Sequence, residues 1–126
     1  MTQNHSDIRT RFIFDDMPIR GMHIRLEKVW HHIVNQKHYP VAIRRALGEL
    51  LAAGSLLSAN LKNEGALIVQ VQGQGRLKML VVEATSENTV RATARWDETA
   101  EIRDDESLTA LLGENSVFVL THQPKD

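Results

Sequence analysis

The glycine-rich segment Gly73-Gln74-Gly75 is the first candidate for chemistry, because closely spaced glycines are typical of loops that bind phosphate groups. A dinucleotide-binding fingerprint needs a third glycine and a helix directly after the loop. Here Arg76 is followed by a strand pattern, which favours a tight hairpin turn that uses the conformational freedom of glycine. A small-molecule or enzymatic site beside the Gly73–Gly75 turn stays open as the alternative function.

Histidine and acidic residues are the next candidates, for a metal site or for acid–base catalysis. His31, His32 and His38 provide no pair four residues apart on one helical face, which favours solvated surface positions. Asp15-Asp16 and Asp104-Asp105-Glu106 lie in polar, turn-like stretches where nothing raises the pKa of a carboxylate. No serine lies in a Gly-x-Ser-x-Gly motif, and cysteine is absent. The residues therefore predict no catalytic machinery, no metal site and no cofactor, hence not an enzyme.

Composition narrows the class of protein further. The chain has 126 residues, which suits one domain with a real hydrophobic core. Its net charge of -1 argues against a general nucleic-acid binder, and an aromatic content of 5% leaves little surface for stacking bases. No apolar run approaches the roughly 20 residues of a membrane span, and the N-terminus lacks a signal-peptide pattern. We therefore expect a cytoplasmic protein that contacts neither nucleic acid nor membrane.

The first half of the chain predicts a hairpin and two helices. Residues 9–14 and 19–26 alternate between apolar and polar side chains, which predicts two antiparallel strands around a turn at 15–18. Apolar residues then recur at spacings of three and four as far as Val34, which predicts a short amphipathic helix that ends at Tyr39-Pro40. A longer apolar helix is predicted from about residue 41 to residue 61.

This long helix carries two sets of apolar residues. The set predicted to pack on a sheet consists of Ile43, Leu47, Leu50, Gly54, Leu57 and Leu61. Leu51 and Leu56 lie beyond the two edges of that stripe, so the helix is either buried on more than one side or exposes apolar surface. Gly48 and Gly54 each cost about 1 kcal/mol relative to alanine inside a helix, which indicates the close approach of another backbone.

The second half of the chain predicts a sheet. Strands are expected at 66–72, 77–84 and 89–96, and their short turns at 73–75 and 85–88 predict an antiparallel meander. A turn at 63–65 precedes them, and a short helix capped by Ser107 and a strand at 117–121 follow. The predicted fold class is α+β: an antiparallel or mixed meander packed against a long apolar helix and a shorter amphipathic helix. We expect a single domain over residues 1–126.

Several segments of the chain resemble a known family. The resemblance is to the bacterial redox-regulated chaperone family, the 33 kDa chaperonin or heat-shock protein 33. It rests on Gly48-Glu49-Leu50-Leu51-Ala52, Ser55-Leu56-Leu57, Leu61-Lys62, Gly65 and Val69-Gln70-Val71-Gln72-Gly73-Gln74-Gly75. It extends over most of residues 8–122 through Arg11-Phe12-Ile13-Phe14, Ile19-Arg20-Gly21, Tyr39-Pro40 and Val90-Arg91-Ala92-Thr93-Ala94.

The resemblance implies a cytoplasmic, ATP-independent holdase that captures unfolding proteins during oxidative or heat stress and works as a dimer. It also implies an N-terminal fragment, since family members continue with more of the core, a linker and a zinc domain whose four cysteines sense oxidants. Without cysteine, we expect neither bound zinc nor a redox switch in this chain. We expect unfolded client proteins as partners, a homodimer or higher oligomer, and a client or dimer surface at Leu51 and Leu56. Burial of these two leucines against a further segment or a partner chain is the other interpretation.

Overall fold

The structure is a computed structural model that describes residues 7–61, 64–85 and 89–125. In those ranges it contains six strands and three helices: β1 Asp7–Ile13, β2 Arg20–Leu26, α1 Lys28–Val34, α2 Val41–Ser58, β3 Gly65–Gln72, β4 Leu77–Thr85, β5 Val90–Trp96, α3 Leu108–Leu112 and β6 Val117–Pro124. The strands form the hairpin β1–β2 and a four-stranded antiparallel sheet in the order β5-β4-β3-β6. The predicted α+β class is confirmed. The predicted turns at 63–65 and 85–88 lie partly outside the described residues.

The β1–β2 hairpin forms as predicted, and it is bonded to both α1 and the end of α2. Its turn is closed by the backbone N–H of Phe14, which donates to the carbonyl of Ile19 at 2.9 Å. At its open end the Asp7 carboxylate accepts from the backbone N–H groups of residues 27, 28 and 29 at 2.6, 2.9 and 3.1 Å. These are the groups that the start of α1 leaves without a partner inside the helix. The Arg11 guanidinium donates to the carbonyl of Ala59 at 2.7 Å, which ties the hairpin to the end of α2.

The core lies between α2 and the four-stranded sheet, with α2 packed on β3, β4 and β5. The largest core side chains are each less than 2% exposed. Those in the sheet and in α2 are Ile43, Leu47, Leu51, Val69, Leu77, Leu80 and Val82. Helix α1 adds Ile33, and α3 adds Leu111. The segment between the first two helices is fixed by Tyr39, whose ring lies 5.3 Å from that of Trp96. The packing of a long helix on the meander is therefore confirmed.

The face of α2 that meets the sheet differs from the predicted stripe. Leu51 is 1% exposed, whereas Leu57 is 46% exposed and Leu50 is only partly buried. Small residues explain the rotation, because α2 meets the sheet at Gly54 and buries four more small residues that the leucine spacing does not reveal: Ala42, Ala46, Ser55 and Ser58. A Cβ at Gly54 would lie 3.0 Å from Cγ1 of Val82. The predicted close approach at this glycine is real, but the neighbour is a side chain and not a backbone.

Strand β4 is central, as predicted, and lies between β3 and β5. Its pairing with β5 shifts between Leu77 and Met79, which leaves Lys78 as an extra residue in the strand. Such a bulge changes which side chains share a face. It allows Leu77 and Leu80 to point into the same core although three positions separate them, while Met79 and Val81 stay half-buried on the opposite face.

Strand β6 is longer than predicted and occupies the edge of the sheet. It runs to Pro124 and pairs with β3 from Gly65↔Pro124 to Gln72↔Val117. All eight of its residues are exposed. Strand β6 pairs only with β3 within the described part of the chain, so it is an edge strand of the sheet.

Candidate functional site

The Gly73–Gly75 turn is closed off by the end of α3. The backbone N–H groups of Gln74 and Gly75 donate to the carbonyl of Leu112 at 3.0 and 2.8 Å, and that of Gly73 donates to Lys78 at 3.0 Å. A Cβ at Gly73 would lie 2.7 Å from the same Leu112 oxygen. The N–H groups that a phosphate would need are therefore occupied. The hairpin-turn interpretation is confirmed, and the turn offers no anion site.

The three histidines are exposed, as the spacing predicted. His31 and His32 lie on α1 and His38 lies in the segment that follows it. Nε2 of His32 lies 3.2 Å from Nε2 of Gln36, its neighbour one turn later. Across residues 7–61, 64–85 and 89–125, no three His, Asp or Glu side chains group closely enough to hold a metal ion.

The acidic residues divide into two kinds. Asp15 and Asp16 in the hairpin turn and Asp104 and Asp105 in the loop before α3 are exposed. Glu106 differs, because its Oε1 accepts a hydrogen bond from the Arg76 guanidinium at 2.7 Å, its Oε2 forms an ion pair with the same group at 2.6 Å, and 11% of its side chain is exposed. The hydrogen bond from Arg76 lowers the pKa of the Glu106 carboxyl. The prediction that Glu106 is a solvated loop acid was wrong, because sequence spacing gives no sign of a partner 30 residues away.

Leu51 and Leu56, the predicted client or dimer surface, lie in different environments. Leu51 is buried in the hydrophobic core, close to Leu26 and Trp30, so it cannot contact a client from the folded chain. Of the two interpretations of Leu51, the structure therefore supports burial of the helix on more than one side and not an exposed surface at this residue. Leu56 is partly exposed on the flank of α2, and its role as a contact stays a prediction.

The largest run of exposed apolar side chains lies on β6. This β6 surface consists of Val117, Phe118, Val119 and Leu120, whose exposed fractions range from 39% to 60%. Phe118 and Leu120 pair with Val71 and Val69, which places them on the face of the sheet that α2 covers farther along. Val117 and Val119 project from the opposite face. One strand therefore presents apolar groups on both faces, beside an edge whose N–H and C=O groups have no strand partner among the described residues.

A second exposed apolar cluster surrounds the turn of the first hairpin. This hairpin-tip cluster consists of Phe12, Ile13, Phe14, Met17 and Ile19, each at least 45% exposed. The rings of Phe12 and Phe14 lie 6.1 Å apart, and the Phe12 ring covers Gly21 on the paired strand. Large exposed apolar patches of this kind mark surfaces that bind other proteins. The sequence predicted a contact surface at leucines of α2, whereas the most exposed apolar side chains lie on β6 and at the hairpin tip.

Comparison with known proteins identifies the family of this fold. A family model described as Hsp33 protein matches residues 7–126. The chain belongs to the Hsp33 family. Three relatives of this Hsp33 chain bear the name 33 kDa chaperonin. The protein of Neisseria meningitidis serogroup A is 81% identical over 123 residues, that of Chromobacterium violaceum 46% over 125 and that of Vibrio vulnificus 36% over 120.

This chain spans less than half the length of these three relatives. The matches cover 98%, 99% and 95% of this chain, but only 41%, 42% and 40% of the relatives' own length. The family match begins at the first residue of β1 and includes every strand and helix of the structure, with both exposed apolar surfaces. None of the helices in the described part of this Hsp33 chain is long and apolar enough to cross a membrane.

Proposed function

We propose that this Hsp33 chain is the core of an ATP-independent holdase chaperone, which binds unfolding proteins and prevents their aggregation under oxidative or heat stress. The name 33 kDa chaperonin, shared by its relatives, supports a chaperone function. The observation that carries the proposal is the β6 surface, because four consecutive apolar residues are exposed beside an open strand edge. We further propose a non-enzymatic, cytoplasmic role, without a cofactor held by this chain.

Physical chemistry gives the β6 surface two ways of holding an unfolding client. Apolar side chains that a client exposes are removed from water when they pack on Phe118 and Leu120, at about 25 cal/mol per Å². An extended client segment can also donate to and accept from the free backbone edge of β6, in the manner of an added strand. Both contacts are independent of client sequence, which suits a protein that captures many unfolded chains. Neither contact requires ATP.

Self-association uses the same groups. An open edge with apolar side chains pairs readily with an identical chain, and closed two-fold dimers are the commonest result. We propose a homodimer in which each chain covers the β6 surface, or the flank of α2 near Leu56, of the other. Dimer formation and client capture then compete. Sedimentation across a wide concentration range tests this, and a monomer that persists at high concentration contradicts it.

A light-scattering assay with a heat-aggregating client protein tests the holdase. We expect the wild-type chain to suppress scattering near a one-to-one ratio, and the double variant Phe118→Gln/Leu120→Gln to lose most of that suppression. Leu57→Gln is the matched control, since Leu57 is exposed to a similar degree on α2. Denaturation curves establish that all three chains are folded at the assay temperature. Equal suppression by the double variant and the wild type would remove the β6 surface from the proposal.

A further inference from the structure

A cavity of about 360 Å³ lies beside the segment that connects α1 to α2. It is lined by residues 34–39 and by Arg44 of α2. Every side chain in this lining except that of Val34 can donate a hydrogen bond, and none of the lining residues is acidic. The volume is at the lower end of the range for small-molecule sites in proteins. Such a set of donors without a carboxylate suits an anionic ligand.

Arg44 and Lys37 provide two positive charges in this lining, and both side chains are exposed. The Arg44 guanidinium makes no hydrogen bond or ion pair within the part of the chain that the structure describes. Lys37 Nζ donates to a hydroxyl and a backbone carbonyl of β5 at 3.3 and 3.5 Å, and these neutral acceptors leave its charge in place. Glu98 lines a neighbouring cavity with Lys37 and His38 but forms no ion pair with either among the described residues.

The start of α2 adds to this positive charge. The first turn of this 18-residue helix contains neither a capping side chain nor an acidic residue. The backbone N–H of Arg44 donates to the carbonyl of Pro40 at 2.8 Å, so the N–H groups before it have no partner inside the helix. This end of a helix attracts anions and disfavours cations. The chain nevertheless places Lys37, His38 and Arg44 there, where a bound anion would relieve the repulsion.

Tyr39 is an independent sign of a ligand. It lines the cavity and is only 7% exposed, with its ring 5.3 Å from that of Trp96. Its hydroxyl makes no hydrogen bond within the described residues, although buried tyrosine hydroxyls usually have a partner. Fully enclosed side-chain oxygens without a hydrogen-bond partner in the described chain are Ser55 Oγ and Glu106 Oε2, so the Tyr39 oxygen keeps accessible surface. A buried ring thus carries a hydroxyl that is free to donate.

We propose that this cavity binds the phosphate group of a small phosphate ester. Near neutral pH this group carries close to two negative charges, which the two cations balance. The Arg44 guanidinium donates to two phosphate oxygens, Lys37 acts as a point charge, and Tyr39 Oη donates to the third oxygen. The organic part of the ester occupies the volume beside Asn35 and Gln36. No lining residue belongs to the β6 surface or the hairpin-tip cluster, so the proposal does not rest on the proposed function.

An amide NMR titration with glycerol 3-phosphate tests the proposal at about pH 7.5, with the ionic strength held constant by chloride. We expect saturable shifts concentrated at residues 34–44. Acetate has a single charge, and we expect it to bind at least about tenfold more weakly. Inorganic phosphate should bind more weakly than the ester, and equal binding overturns the assignment of an ester. Equal binding of acetate, or shifts spread over the whole surface, would overturn the phosphate site.

Substitutions separate binding from folding. Arg44→Gln should weaken binding of glycerol 3-phosphate about tenfold, and Tyr39→Phe about threefold to tenfold with an unchanged melting temperature, because the ring stays in place. Arg20→Gln is the matched control, since Arg20 is an exposed arginine at the start of β2, outside this cavity. Unchanged affinity in Arg44→Gln, or an equal loss in Arg20→Gln, refutes the site. Unchanged affinity in Tyr39→Phe refutes the role of the hydroxyl.

Discussion

Truncation of Leu51 to alanine is the sharpest test of how α2 packs on the sheet. Leu51 is 1% exposed and belongs to the central core, so its burial contributes about 1.5–3 kcal/mol from removal of apolar surface alone. The cavity left behind raises the loss to about 2–5 kcal/mol when the surroundings cannot collapse. Here the sheet fixes one side of α2 and the β1–β2 hairpin fixes another, so we expect a loss of about 3 kcal/mol.

Chemical denaturation followed by circular dichroism measures this loss directly. For 126 residues the unfolding entropy near the melting temperature is about 0.26 kcal/mol/K, so a loss of 3 kcal/mol lowers the Tm of thermal unfolding by about 11 °C. Leu57→Ala is the matched control on the same helix, and we expect its loss to stay within about 0.5 kcal/mol because Leu57 is 46% exposed. Leu50→Ala should fall between the two. A Leu57→Ala chain that loses as much stability as Leu51→Ala would refute the orientation of α2.

Three further predictions concern the turn, the acid and the metal. Gly75→Ala should destabilise the chain by about 1–3 kcal/mol in denaturation, because a Cβ there collides with the carbonyl of Leu111, while Gln74→Ala stays near neutral. Arg76 lowers the pKa of Glu106 in the folded chain, so this ion pair stabilises the fold above the usual value of 4.5, and the stabilisation is lost as pH falls through the folded pKa. The difference in unfolding free energy between wild type and Glu106→Gln should therefore shrink from pH 7 to about pH 3. A difference that stays constant over this range contradicts the prediction. Elemental analysis should find no stoichiometric zinc, and peroxide should leave client protection unchanged, because no thiolate is available; bound zinc would reopen the histidine interpretation.

The sequence predicted correctly the elements that depend on contacts between neighbouring residues, namely the first hairpin, the meander and α3. Alternation and turn residues gave the first hairpin and the meander, because neighbouring strands with short connections have few other ways to pair. The short third helix was also foreseeable: Ser107 Oγ accepts from the N–H of Ala110 at 3.1 Å, and the helix ends at Gly113 with a positive φ of 84°. In each case the deciding contact lies within a few residues of the pattern.

The packing face of α2 could not be predicted from its leucines. Leucines occur on most of its circumference, so spacing alone permits several stripes. The sheet selects the side that lets it approach most closely, which is the side with Gly54. That choice depends on Val82 of a strand more than twenty residues later.

The exposed surface was also beyond the sequence. The run from Val117 to Leu120 predicts a strand, but a run that is apolar on both faces is equally typical of a buried strand. Its exposure follows from its place at the edge of the sheet, beyond the reach of α2's main contacts.

The strand order has a consequence for how the chain assembles. Strands β3, β4 and β5 close through neighbouring hairpins, whereas β6 must return across about 45 residues to reach Gln72. Closing that longer loop costs on the order of 1.5 kcal/mol more entropy than closing the β3–β4 turn. During synthesis the meander can therefore be complete, and α2 docked, while one edge of β3 is still bare. Substitutions in β6 should therefore accelerate unfolding and leave the rate of meander formation unchanged. In this order of events the apolar strand β6 pairs last during folding and separates first during unfolding.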